Sequence, residues 1–307
     1  MPALLTHDFF GRDVFEQIAL EGPFDSQDAR DLFLLGNQGP DPLFYAQFML
    51  RFLPIKRFGS RLHKEKPDET IESFQRIAYN LPKPEQDLLV AYLLGFICHF
   101  TLDSVVHPFI YAQEYALCDA GVKGLDRCDG PLVHAQLEAD LDMMMLFQRL
   151  GVGIRKFNYT PYVLRASDAG LALLDRAYET MAHEVFSYSL PSDAFSKGIR
   201  DMRLSIRLLY SPLGIKRGLI GKLERIFTRH SYAQAMSPPN DIGLTCDSDN
   251  RFNTPWVNPQ NGAISTASFA DLYEQALEVA LINVKAVLEG KPGLEITHGL
   301  NFDGVHY

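Results

Sequence analysis

Tryptophan occurs once in the 307 residues, at position 256, and cysteine four times, at 98, 118, 128 and 246, with no CxxC spacing. That spacing leaves no CxxC pair, and four free thiols in a reducing compartment are the expectation over disulfides. Positive charge is also scarce. Lys and Arg total 29 against 38 Asp and Glu, a formal net charge of −9, so no stable nucleic-acid partner is expected. Strand-like alternation is rare and short. No unbroken apolar run approaches the ~20 residues of a membrane span. The opening MPALLTHDFFG has neither the basic nor the apolar region of a signal peptide, which leads to an expected cytoplasmic location. Phosphate-binding GxxxxGKS and GxGxxG loops are missing, as is a serine or cysteine nucleophile motif, which turns attention away from covalent chemistry.

Helical periodicity is abundant. Apolar residues recur at three-to-four spacing over 41–53, 84–117, 131–150, 168–188, 198–210, 214–229 and 267–289. This pattern, with 47% hydrophobic content, predicts an all-α, multi-helix bundle built as one domain over 1–307.

Within that bundle the stretch HFTLDSVVHP places His99, Asp103 and His107 four residues apart. On a helix they form one polar stripe amid Leu94, Phe96, Ile97, Phe100 and Leu102. A carboxylate in such surroundings is costly unless it is paired or bound to a metal. A second pair at the same spacing, His134 and Glu138, opens another helix. Facing helices that each offer imidazole and carboxylate one turn apart are how bundle metal sites are assembled, here with the metal cluster between helices. Two further segments look like site loops. GNQGPDP (36–42) carries Asp41, and SRLHKEKPDET (60–70) puts His63 in a polar connection. With His7 they extend the set to a multi-metal site in 1–150, the half 151–307 being further helix. Mixed histidine and carboxylate donors suit zinc, with iron or manganese as alternatives.

In order, these residues read His7, Asp41, His63, His99-x3-Asp103, His107, His134-x3-Glu138. The series resembles the zinc-dependent phospholipase C family, whose fold is shared with the fungal single-strand zinc nucleases. The resemblance implies two or three zinc ions. Asp41, His63, His99 and Asp103 would hold the first, and His107, His134 and Glu138 the second. His7 and a shared Asp103 would hold a third, joined in secreted members by the N-terminal amine and carbonyl; here the chain begins Met1-Pro2. The step of four from Asp103 to His107 is shorter than in those members and keeps His107 on the stripe.

The chemistry expected of such a site is phosphoric ester hydrolysis by a metal-activated water, with Asp41 as the catalytic carboxylate that orients or deprotonates it. The substrate expected is a phosphodiester, with phospholipid as the leading candidate. The alternative chemistry is a single-strand nuclease or nucleotidase, for which Phe44, Tyr45 and Trp256 are the candidate base-stacking residues. The non-enzymatic alternative is a helical metal-binding scaffold, disfavoured because structural zinc sites are usually rich in cysteine.

Other features carry less. Met143, Met144 and Met145 read as core, His183 as structural, and His230, His298 and His306 lack carboxylates at ligand spacing. The polar loop 240–262 around Trp256 is a candidate rim of the substrate cleft. Residues 193–230 interleave nine Lys and Arg with apolar residues, a basic amphipathic segment suited to peripheral contact with a membrane surface.

Overall fold

The structure, a computed structural model, describes residues 3–46, 53–123 and 125–307. It is all-α: twelve α-helices are present among the described residues, and the strands are two residues each. The chain divides into two compact units, one of residues 7–105, 162–205 and 275–307, the other of 3–6, 106–161 and 206–274.

In the first unit, α2 (Gln27–Gly36) starts where the Ser26 side chain accepts a hydrogen bond from the Ala29 amide, 3.1 Å, and so caps the helix. It lies directly on α5 (Lys83–Asp119) because both helices present glycine at the crossing. A Cβ on Gly36 would stand 2.2 Å from the Tyr92 carbonyl, and one on Gly95 would stand 2.0 Å from that of Phe33. The 3₁₀ turn Asp41–Tyr45, α3 (Leu53–Lys64) and α4 (Pro67–Tyr79) follow. Helix α7 (Asp168–Phe186), capped by Ser167, packs its Tyr178 on Phe195 with ring centroids 4.3 Å apart. Phe74, Tyr92 and Phe96 complete a fully buried aromatic core. Each of these rings contributes roughly 1.5–3 kcal/mol relative to exposure.

The second unit centres on α6 (Gly130–Leu150). Buried Asp142 accepts hydrogen bonds from the Leu5 and Thr6 amides, 3.0 and 2.8 Å, placing a carboxylate at the start of α1 (Leu4–Ile18). Helices α9 (Ile215–Glu224) and α10 (Tyr232–Ala235) belong here, with a small antiparallel hairpin pairing Trp256 with Ser265 and Val257 with Ile264. Met143, Met144 and Met145 are buried as expected. The remaining helices are α8 (Ala194–Leu209), α11 (Phe269–Leu288) and α12 (Gly293–Thr297).

Four expectations need correction. His63 is not in a connection but in the last turn of α3. The proposed helix 41–53 begins as a 3₁₀ turn, and the part 47–52 lies outside the described residues. The loop 240–262 carries the first strand of the hairpin. Finally, α5 is long and apolar enough by length and composition to cross a membrane. The scattered polar residues of its stripe hid this in a search for unbroken runs. Its apolar window is 83% buried inside the protein, as expected of a core helix. All four cysteines are free thiols.

Candidate metal centre

All eight candidate ligands are buried or nearly so, and they fall into three groups. Each group offers ligand atoms within 4.8 Å of one another: His7, His99 and Asp103; Asp41, His63 and His99; His107, His134 and Glu138. His99 belongs to the first two. The stripe on α5 thus serves more than one group, with His99 and Asp103 in the first unit and His107 in the second.

The first unit brings five of the residues together. Asp103 stands between two imidazoles: Oδ1 is 3.2 Å from His7 Nε2, and Oδ2 is 3.2 Å from His99 Nε2. The His7 and His99 rings are 4.3 Å apart and tilted by 35°. Asp41 Oδ1 is 3.0 Å from His63 Nε2 and 3.8 Å from His99 Nε2. The loop before Asp41 is held against α5 at Gly39, whose φ is +48° and whose missing Cβ would overlap the His99 ring at 2.2 Å. Only glycine meets both requirements. The Gly39 carbonyl accepts hydrogen bonds from Tyr92 and Tyr178, 3.2 and 3.4 Å, which fixes the loop's height on the bundle.

The outward ring nitrogens are held from behind. His63 Nδ1 is 2.8 Å from the Gly59 carbonyl, and His99 Nδ1 is 3.2 Å from the Asn37 carbonyl. A carbonyl only accepts, so Nδ1 carries the proton and Nε2 turns toward the carboxylates. This arrangement recurs behind metal-binding histidines. His99 Nε2 is buried without a hydrogen-bond partner among the described residues, although Asp103 is close by. An orphaned imidazole nitrogen beside two carboxylates fits a cation.

The second unit repeats the design. Glu138 Oε1 is 3.3 Å from His134 Nε2 and 3.7 Å from His107 Nε2, while Glu138 Oε2 has no hydrogen-bond partner among the described residues. His134 Nδ1 is 3.1 Å from Glu114 Oε2. Glu114 is the residue that the spacing argument missed. It lies seven residues beyond His107 on α5, two turns along the same face, a step longer than the fours used to read the stripe. A cavity of about 230 Å³ opens at this group, lined by Tyr111, Glu114, Pro131, His134, Glu138 and Tyr232.

Electrostatics separate His99 from His63 and His134. Burial drives His99 down to about 4 despite the Asp103 charge, so its imidazole is neutral and able to ligate near pH 7. Burial also opposes protonation of His63 and His134, but the carboxylates prevail. Asp41 raises His63, while Glu138 and Glu114 raise His134 to about 9. Against its burial, Glu138 is held far below the usual carboxylate range by the His134 charge and by the close approach of the His134 and His107 ring nitrogens. Without metal the His134–Glu138 pair is a salt bridge near pH 7, from which a cation would displace a proton.

Further aromatic residues close on the first unit's site. Phe44 and Phe302 lie on the His63 ring, at 4.8 and 4.9 Å, and Phe302 also reaches His99, at 5.6 Å. Tyr45 is buried, and Trp256 donates Nε1 to the Ala267 carbonyl while packing on Phe109. His230 has a carboxylate neighbour that spacing did not reveal, Asp129 at 3.7 Å.

Neither curated proteins nor solved structures gave a match to the chain. The zinc-dependent phospholipase C family matches residues 6–188, a span that holds all eight candidate ligands and extends beyond them through α7. The chain belongs to the zinc-dependent phospholipase C family.

Proposed function

We propose that the protein is a zinc-dependent phosphoric ester hydrolase, a phospholipase C-like phosphodiesterase that uses an activated water. The observation that carries this reading is the repeated arrangement of imidazoles backed at Nδ1, with Nε2 facing buried carboxylates and no cysteine among the donors. Structural zinc sites usually close their coordination with cysteine, whereas histidine and carboxylate sets with room for solvent serve catalysis.

Asp41, His63, His99 and Asp103 would hold one ion, His7 with Asp103 a second, and His107, His134 and Glu138 another. When bound, zinc lowers the pKa of water toward neutrality and neutralises charge that builds on a phosphoryl group. The chain's own residues do the rest. Asp41 orients the attacking water and takes its proton at a carboxylate oxygen. Glu114 keeps the His134 proton on Nδ1 and so keeps Nε2 available. Phe44 and Phe302 exclude bulk water from one side of His63 and His99, which strengthens the charge interactions there.

Zinc-reconstituted protein should be assayed against a chromogenic phosphodiester, phospholipid and single-stranded DNA. Turnover of the phosphodiester and phospholipid, abolished by chelator, is expected. Turnover of DNA alone would favour the nuclease alternative, and zinc binding with no turnover of any substrate would favour a scaffold.

A further inference from the structure

The outer face of α9, with the turn after it, is left unexplained by the bundle. Ile215, Leu219 and Leu223 repeat at four-residue spacing and share one side of the helix. That side faces solvent: they are 70%, 58% and 54% exposed, and Leu213, Ile226 and Phe227 extend the patch at 69%, 68% and 87%. Only Gly221 of the helix is buried. An ordinary surface helix turns its apolar stripe to the core. A contiguous exposed stripe is unfavourable in water and marks a partner.

Charge identifies the partner. Lys216, Lys222, Arg225 and Arg229 are exposed around the stripe. Among the described residues Lys216 and Lys222 form no ion pair, Arg225 donates to Gln234, and Arg229 reaches Asp126 at 3.3 Å. The one acidic residue of the segment, Glu224, is turned inward, where its Oε2 accepts from Ser231 Oγ and the Ala233 amide, 2.6 and 3.0 Å. A second copy of the same face would bring cations against cations, whereas an anionic bilayer takes apolar side chains at the acyl boundary and cations at the headgroup phosphates.

We propose that α9 and residues 225–229 dock the protein on anionic lipid bilayers. The docking element adjoins the third ligand group. Arg217 donates to Gln136, between His134 and Glu138, at 3.4 Å. Tyr232, which opens α10, lines the cavity at those two residues. Delivery of a headgroup to that cavity rests on the proposed hydrolysis; the docking itself does not.

The test is flotation of zinc-reconstituted protein with phosphatidylcholine vesicles, with and without phosphatidylserine, alongside turnover of a soluble chromogenic phosphodiester. Wild type should float with the phosphatidylserine vesicles, and added salt should weaken this. Lys216→Glu with Lys222→Glu should reduce binding by at least about tenfold, since each cation near the surface is worth roughly fivefold. Leu219→Ser with Phe227→Ser should reduce it by a similar factor, with soluble turnover and melting temperature unchanged in both. Lys291→Glu, on a surface far from the segment in sequence, should bind as wild type. Absence of flotation at low salt, or flotation unaffected by both double variants, would overturn the docking surface even if turnover is intact. So would apolar variants that change only the oligomeric state in sedimentation, since the face would then join two copies. Flotation without any turnover would leave docking standing and count against the hydrolytic reading alone.

Discussion

Asp103 and His99, one helical turn apart on α5, bring Oδ2 and Nε2 to 3.2 Å without forming a hydrogen bond, while Oδ1 of the same carboxylate faces His7. A carboxylate placed between two imidazoles in a buried helix interface has the geometry expected of a bridging ligand. Asp103→Asn keeps the shape and removes the charge, so zinc content should fall at two positions together and phosphodiesterase turnover by orders of magnitude. His99→Ala should leave the His107 group loaded. Metal counts and turnover on both variants check this, and full metal with full turnover in Asp103→Asn would return the stripe to a hydrogen-bonded core.

Glu114 backs His134 at Nδ1, so a metal held by His134 would feel Glu114 through the ring. Glu114→Gln would let the His134 ring change tautomer and should weaken zinc at that group by about 10–100-fold, the usual cost of losing such a backing group. Competition with a chelator reads the affinity. The first unit's groups should be unaffected.

The pH dependence of the metal-free protein follows from the same pairs. His134 is raised to about 9 in the fold, above its ordinary 6.5, so its stabilising contribution is complete below pH 6.5 and is lost as pH rises through 9. Glu138 is depressed below its ordinary 4.5, so its contribution is present above that value and is lost as pH falls. His99, lowered to about 4, adds to the acid loss, because unfolded chains gain its proton from pH 6.5 downward while the fold resists until about 4. Melting temperatures in chelator should therefore peak near or just below pH 6.5 and fall toward pH 9. Zinc-loaded protein should lack the alkaline fall, since bound metal replaces those protons. An equal fall in both would contradict the assignment.

Phe302 lies outside the matched residues 6–188 yet rests on His63, His99, Phe96 and Phe100. Phe302→Ala should cost about 3–5 kcal/mol through the cavity it leaves. It should also weaken zinc retention by the His63 and His99 group. Denaturant unfolding and metal content together separate the two effects.

The helical class was legible because long amphipathic runs such as 131–150 and 168–188 carry the helix period over several turns. Five candidate ligands, His99, Asp103, His107, His134 and Glu138, were readable for the same reason, since fours on α5 and α6 survive translation from sequence to space; His7, Asp41 and His63 rested on loop segments and on the order of the family's series. Helices α1 to α4 were not, and in three of them glycine or proline at an end interrupts the period: Gly36 closes α2, and Pro54 and Pro67 stand in the first two residues of α3 and α4. Nor could sequence show Glu114 behind His134, Asn37 and Gly59 behind His99 and His63, or Phe302 on their rings, since those contacts are made by the fold. For residues 215–223 the periodicity was readable and the face was not: a stripe shows its period in sequence, but only packing shows whether it turns in or out.

The most direct test of the central claim is the zinc content of protein purified without added metal, reconstituted with zinc and freed of excess. Three ligand groups predict at least two zinc ions per chain, with proton release on binding and a higher melting temperature. Less than one equivalent, with no change in melting temperature, would contradict it.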